Sequence, residues 1–152
     1  MSPETRLAAA DAFWRDKGNP DELNVQHAEA TMAIARRLNF RTKSVTALPI
    51  DRRAKHLAHM SEVSEAIATR ALVAYHMASQ RPMMRAFLDA IGLEHDDGVI
   101  TAEEVPVPAP EKLADGVAAL RAAFPEPDVT LYLNTLLSID GETWAGIEKH
   151  LT

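Results

Sequence analysis

His56 and His59 stand three residues apart and Glu62 follows at the same interval, so on a helix the three side chains could converge. Two imidazoles and a carboxylate are a set that can hold zinc or iron, and His76 could approach from another element. The spacing is generic, however. A di-iron bundle needs Glu-x-x-His pairs and a zinc protease needs His-Glu-x-x-His, and the chain contains neither. Metal binding at His56, His59 and Glu62 is the minor reading; no metal is favoured and no cofactor is expected.

A second stretch with chemical content is HDDGVITAEE, residues 95–104, which looks like the latter half of a calcium loop. Placing Gly98 at the glycine position of such a loop puts Leu93 first and His95 third, where oxygen ligands are required. Leucine cannot ligate a hard cation and an imidazole is a poor partner for one. The expected structure is a helix exit, a tight turn at Asp97-Gly98 and a short extended pair at Val99-Ile100, with no calcium bound.

Hydrolytic and nucleotide-binding patterns are missing. There is no Gly-x-Ser-x-Gly, no P-loop and no Gly-x-Gly-x-x-Gly. The absence of cysteine removes thiolate nucleophiles, thiolate metal sites and disulfides. A helical enzyme could still gather Tyr75, His76 and Arg81, with His76 as base and Arg81 holding an anion, but no spacing favours it. The chain is read as a binding protein rather than an enzyme, with no catalytic residue assigned.

Charge is more informative. The net charge is −6, but residues 36–55 carry Arg36, Arg37, Arg41, Lys43, Arg52, Arg53 and Lys55 against Asp51 alone, a local +6. Residues 94–152 hold −9, so the chain is polarised. The basic block either pairs with the acidic C-terminal third or meets an external anion. Within it, IARRLNFRTKSVTAL at 34–48 resembles a helix-turn-helix element. Ala35 suits a close helix crossing, Asn39 suits a left-handed turn, and Val45 and Leu48 would hold the second helix. Arg41, Thr42, Lys43, Ser44 and Thr46 would then face outward, as contacts to phosphate and base edges require. Pro49 cuts that second helix to about two turns, which counts against groove insertion.

The elements that must position these residues are helical. Ser2 caps a helix with Pro3 in its first turn, and Asn19 and Pro20 repeat the signal. Val25, Ala28, Met32 and Ala35 share one face at helical spacing and are expected inward. Pro49 opens the next helix, with Ile50, Ala54, Leu57 and Ala58 inward. Residues 63–78 are apolar over most of their circumference and are expected to form the most buried helix. Arg81-Pro82 ends it, a further helix runs to a left-handed cap at Gly92, and the prolines of VPVPAP make an extended connector near residues 99–110. Two more apolar stripes follow, and Asp140 caps a last helix carrying Trp144, Ile147 and Leu151.

The expected fold is all-α, with seven or eight helices in one domain over 1–152, or helical parts 1–93 and 109–152 joined by 94–108. No apolar run approaches the ~18 residues that span a bilayer, and the N-terminus lacks a basic region followed by an apolar stretch. A cytoplasmic helical protein is expected whose partner is another protein or a second copy of itself. The alternatives are DNA binding through 34–48 and a small enzyme or metal protein using His56, His59 and His76. Neither a membrane nor calcium is an expected partner.

Overall fold

The computed structural model describes residues 1–152 and is all-α apart from one small hairpin. Eight α-helices and a closing 3-10 helix follow one another: α1 (Pro3–Arg15), α2 (Pro20–Leu38), α3 (Thr42–Thr46), α4 (Ile50–Ala58), α5 (Glu65–Ser79), α6 (Arg81–Ile91), α7 (Pro110–Ala123), α8 (Glu126–Ile139) and Ala145–His150. Strands β1 (His95–Asp96) and β2 (Val99–Ile100) pair antiparallel between α6 and α7. No helix is long and apolar enough to cross a membrane.

Helix starts follow the caps in the sequence. The Ser2 hydroxyl accepts from the Thr5 amide, and the Asn19 side chain accepts from the Asp21 amide, each with a proline in the first turn that follows. These contacts satisfy amides that the first turn of a helix leaves orphaned. Gly92, at φ +74°, closes α6, and the Leu93 amide reaches back to the Leu88 carbonyl at 2.9 Å. The C-terminal segment departs from expectation. Asp140 Oδ1 accepts from the amides of Glu142 and Thr143, which shapes a turn, and the following turns tighten into a 3-10 helix rather than an α-helix.

The contacts divide the chain into two compact units, Met1–Tyr75 and His76–Thr152, and the division falls inside α5 rather than at the proline-rich connector. The connector is held by its own unit: Ile100 and Val105 pack on the core that α6 helps to build.

Unit 1 (residues 1–75) has a core of small and aromatic side chains. Helices α1 and α4 pack closely, because Ala9, Ala10, Ala54 and Ala58 are buried and bring little bulk. Phe13 and Trp14 meet edge to face at 5.1 Å, and the His27 ring packs 4.7 Å from Phe13 while its Nε2 bonds the Phe13 carbonyl. Arg70 and Asp16 form a largely buried ion pair at 2.8 Å.

Helix α2 corrects the expected orientation. Its buried residues are Leu23, Ala30, Ile34 and Ala35, whereas Val25 is 69% exposed and Met32 43% exposed, with Ala28 also exposed. The 23–27–30–34 face is inward, where His27 bonds the Phe13 carbonyl and its ring packs on Phe13 and Trp14. Helix α5 also starts later than expected, at Glu65, leaving Val63 exposed in the preceding loop. Ile67, Ala71, Ala74, Tyr75 and His76 are buried on it, Leu72 only partly, and Ala66 and Ala78 are exposed. It is no more buried than α8, whose Val129, Tyr132, Leu133, Thr135 and Leu136 are all inside.

Unit 2 (residues 76–152) is built around Phe87, Leu120, Leu133 and Ile147, all fully buried. Gly116 lets α7 approach α6 closely: a Cβ there would lie 2.7 Å from Ile91 Cγ2 and 2.8 Å from the Phe87 ring.

Candidate functional site

The basic block sits on α2, α3 and α4 of unit 1. Helix α2 ends at Leu38, and Asn39 takes a left-handed conformation, φ +54° and ψ +42°. The Phe40 amide then bonds the Ala35 carbonyl at 2.8 Å, which seals the helix end. A hydrophobic residue at this position ordinarily packs back on its helix. Phe40 instead leaves 51% of its surface exposed.

Helix α3 has five residues, about 7.5 Å of helix, so it is shorter than the two turns expected. Only Val45 of its residues is buried; Arg41, Thr42, Lys43, Ser44 and Thr46 face outward, and Leu48 is half-buried. Asn39 and the outward set thus stand where the reading of 34–48 puts them, and the second helix is five residues long.

The cations of the block divide into two sets. Arg37 donates from Nη1 to the His59 carbonyl at 2.8 Å, tying the end of α4 to α2. Arg53 donates from Nε to the Leu48 carbonyl and lies over the Trp14 ring, 5.1 Å from its centroid. These two hold the fold. Arg36, Arg41, Lys43, Arg52 and Lys55 are exposed, and within unit 1 no cation of the block takes part in an ion pair. Within unit 1 the block therefore has no carboxylate partner at ion-pair distance. Unit 1 as a whole carries eleven basic and nine acidic residues, whereas unit 2 carries five and thirteen.

Apolar surface adjoins the free cations. On α2, Val25, Ala28, Met32 and Arg36 follow at i, i+3, i+7 and i+11, which aligns them on one stripe. Val25, Met32 and Phe40 are three of the nine large hydrophobics that the chain exposes, and they lie on α2 or at its exit. The stripe is hard to see in the sequence because its helical periodicity is equally that of a core face. The signal available was polarity on neither face of α2: the 23–27–30–34 positions are also mostly apolar.

The metal candidates His56, His59 and Glu62 do not converge. His59 Nδ1 bonds the Lys55 carbonyl at 2.7 Å, His56 is half-buried, and Glu62 lies exposed in the loop after α4. No three histidine or acidic side chains come together in a way that could hold a metal ion. His76 is buried with its ring 5.3 Å from Tyr132. Arg81 donates from Nε to the Met77 carbonyl and from Nη1 to the Asp97 carbonyl.

The 95–104 stretch forms the expected hairpin. Asp97 (φ +48°) and Gly98 (φ +86°) make its two-residue turn, with Asp96 opposite Val99. His95 Nδ1 accepts from the Gly98 amide, which requires the tautomer whose Nε2–H donates to Asp89. The Asp97 carboxylate is bound by Arg85, whose hydrogen bond holds it below the usual carboxylate range. A carboxyl lowered in the folded state stabilises the fold above its unfolded pKa, and that contribution is lost as pH falls through the folded value. Asp97→Asn is therefore expected to remove part of the acid-side loss below about pH 4, read as the urea midpoint against pH. Millimolar calcium is expected to leave the melting temperature unchanged. A calcium-dependent rise that vanishes in Asp97→Ala would contradict this assignment of the loop.

Comparison with protein-family models, with curated proteins and with solved structures returns no match to this chain.

Proposed function

We propose that this chain is a cytoplasmic binding protein whose α2–α3 surface receives an acidic protein partner. The observation that carries the reading is the stripe Val25–Ala28–Met32–Arg36, continued by Phe40 and Arg41, in which exposed apolar side chains border cations without counter-ions. Arg, Met and aromatic residues are the types enriched where proteins meet, and Met repacks readily against varied surfaces. An amphipathic acidic helix fits both parts of the surface, its apolar face against Met32 and Phe40 and its carboxylates against Arg36 and Arg41.

A nucleic acid is the second reading, favoured by the helix–left-handed turn–helix layout with Arg41 and Lys43 outward. The five-residue α3 and the apolar stripe weigh against it, since protein–DNA interfaces are polar and strongly positive.

The test is calorimetric titration of the chain with a synthetic acidic amphipathic helix and, separately, with a short DNA duplex of mixed sequence. The expected result is saturable peptide binding that Met32→Glu and Arg36→Glu each abolish, with DNA bound only at the non-specific level of ~10⁻⁴–10⁻⁶ M. Tight DNA binding that Met32→Glu leaves intact and Arg41→Ala abolishes would replace the first reading with the second. Concentration-dependent self-association lost in Met32→Glu would identify a second copy as the occupant instead of a different protein.

A further inference from the structure

Unit 1 contains a pocket of about 220 Å³ between α1, the end of α4, the loop that follows it and the first half of α5. Its floor is made of buried apolar side chains, among them Ala10, Leu57, Ala58, Ile67 and Ala71. Its rim is exposed and includes Met1, Arg6, Ser61 and Val63. Arg6 is the one charged side chain in the lining, and its guanidinium takes part in no ion pair. A second hollow shares Met1, Arg6 and Ala58 with the pocket, so Arg6 stands where an apolar floor opens to water. The stripe on α2 contributes no residue to either hollow.

The chemistry of the lining selects the ligand. The alanines at the floor remove bulk without adding any polar group, so nothing deep in the pocket can hydrogen-bond except backbone already used by helices. A buried guest must therefore be apolar there. At the rim a planar guanidinium matches a carboxylate with two parallel hydrogen bonds. Size bounds the tail: an apolar cavity of ~150 Å³ accepts benzene, so about 220 Å³ accommodates roughly nine carbon-sized atoms. We infer that this pocket binds a medium-chain monocarboxylate, tail on the Ala10–Ala71 floor and carboxylate on Arg6.

The experiment is a chain-length series on the full chain: hexanoate, octanoate, decanoate and dodecanoate, with 1-octanol as the uncharged control. Binding is measured by calorimetry and by the methyl shifts of Ala10, Ile67 and Ala71. Each added methylene is expected to tighten binding roughly fourfold until the floor is filled near eight to ten carbons, after which affinity levels off. Octanoate should bind about tenfold more tightly than 1-octanol, and Arg6→Gln should erase that difference while leaving 1-octanol unchanged. Ala71→Phe fills the floor and should abolish binding of both; if that variant does not fold, Ala68→Leu at the half-buried wall serves the same purpose. Absence of saturable octanoate binding would overturn the inference. So would an affinity indifferent to chain length, or one that Arg6→Gln leaves unaltered. The peptide titration with Met32→Glu is read separately, so failure of one site leaves the other standing.

Discussion

Phe87→Ala is expected to destabilise the protein by ~3–5 kcal/mol, as truncation of a fully enclosed aromatic does. Phe87 has no exposed surface, meets the Tyr132 ring nearly perpendicular at 5.7 Å and stands 6.0 Å from Trp144. The vacated space would border Gly116, which has no side chain to fill it, so collapse around the cavity is limited. The two tryptophans allow a clean measurement, because Trp14 belongs to unit 1 and Trp144 to unit 2. In a Trp14→Phe background, urea unfolding followed by Trp144 fluorescence reports on the unit that holds Phe87. A loss below ~1 kcal/mol would mean that Phe87 is not enclosed as described.

Gly98→Ala is expected to cost ~2–4 kcal/mol, and two independent effects set that range. The residue lies at φ +86°, a conformation that an L side chain resists. A Cβ built there would also stand 2.7 Å from Met84 Cβ, an atom fixed to the α6 backbone and unable to rotate away. Relief would require the hairpin to lift from α6, which would separate Asp97 from Arg81 and Arg85. Hydrogen exchange at the Gly98 amide, bonded to His95 in the native protein, should accelerate in the variant. A variant as stable as the parent would show that the turn is free of α6.

These two sites differ in how openly the sequence declares them. Asp97-Gly98 is legible because few residues other than glycine, asparagine and aspartate suit such a turn, and Leu93 and His95 at once exclude the calcium reading. The cap at Ser2, the left-handed Gly92 and the outward set Arg41, Thr42, Lys43, Ser44 and Thr46 are equally local, set by residues within one turn of each other. What depends on distant partners is not legible. Helix α2 has two apolar faces, and the one that is buried meets partners distant in sequence, among them the Phe13 carbonyl that His27 reaches fourteen residues away. The fates of Arg37 and Arg53 are similar, since each is held by carbonyls or a ring that sequence spacing does not place beside it. The Arg6 pocket is least visible of all, because alanines at 10, 58 and 71 carry no signal except the absence of bulk.

The central claim is that the α2–α3 surface binds by apolar contact supported by charge rather than by charge alone. Its most direct test is the salt dependence of the affinity for the acidic amphipathic peptide, measured together with the heat-capacity change of binding. Burial of Val25, Met32 and Phe40 predicts a negative heat-capacity change and a complex that survives as salt screens Arg36 and Arg41. A purely electrostatic site would behave as phosphate binding does. With four contacts, from Arg36, Arg41, Lys43 and Arg52, log affinity for DNA would fall against log salt with a slope near −3.6. A shallow slope with a clearly negative heat-capacity change is the predicted result; a steep slope with no heat-capacity change would contradict the claim.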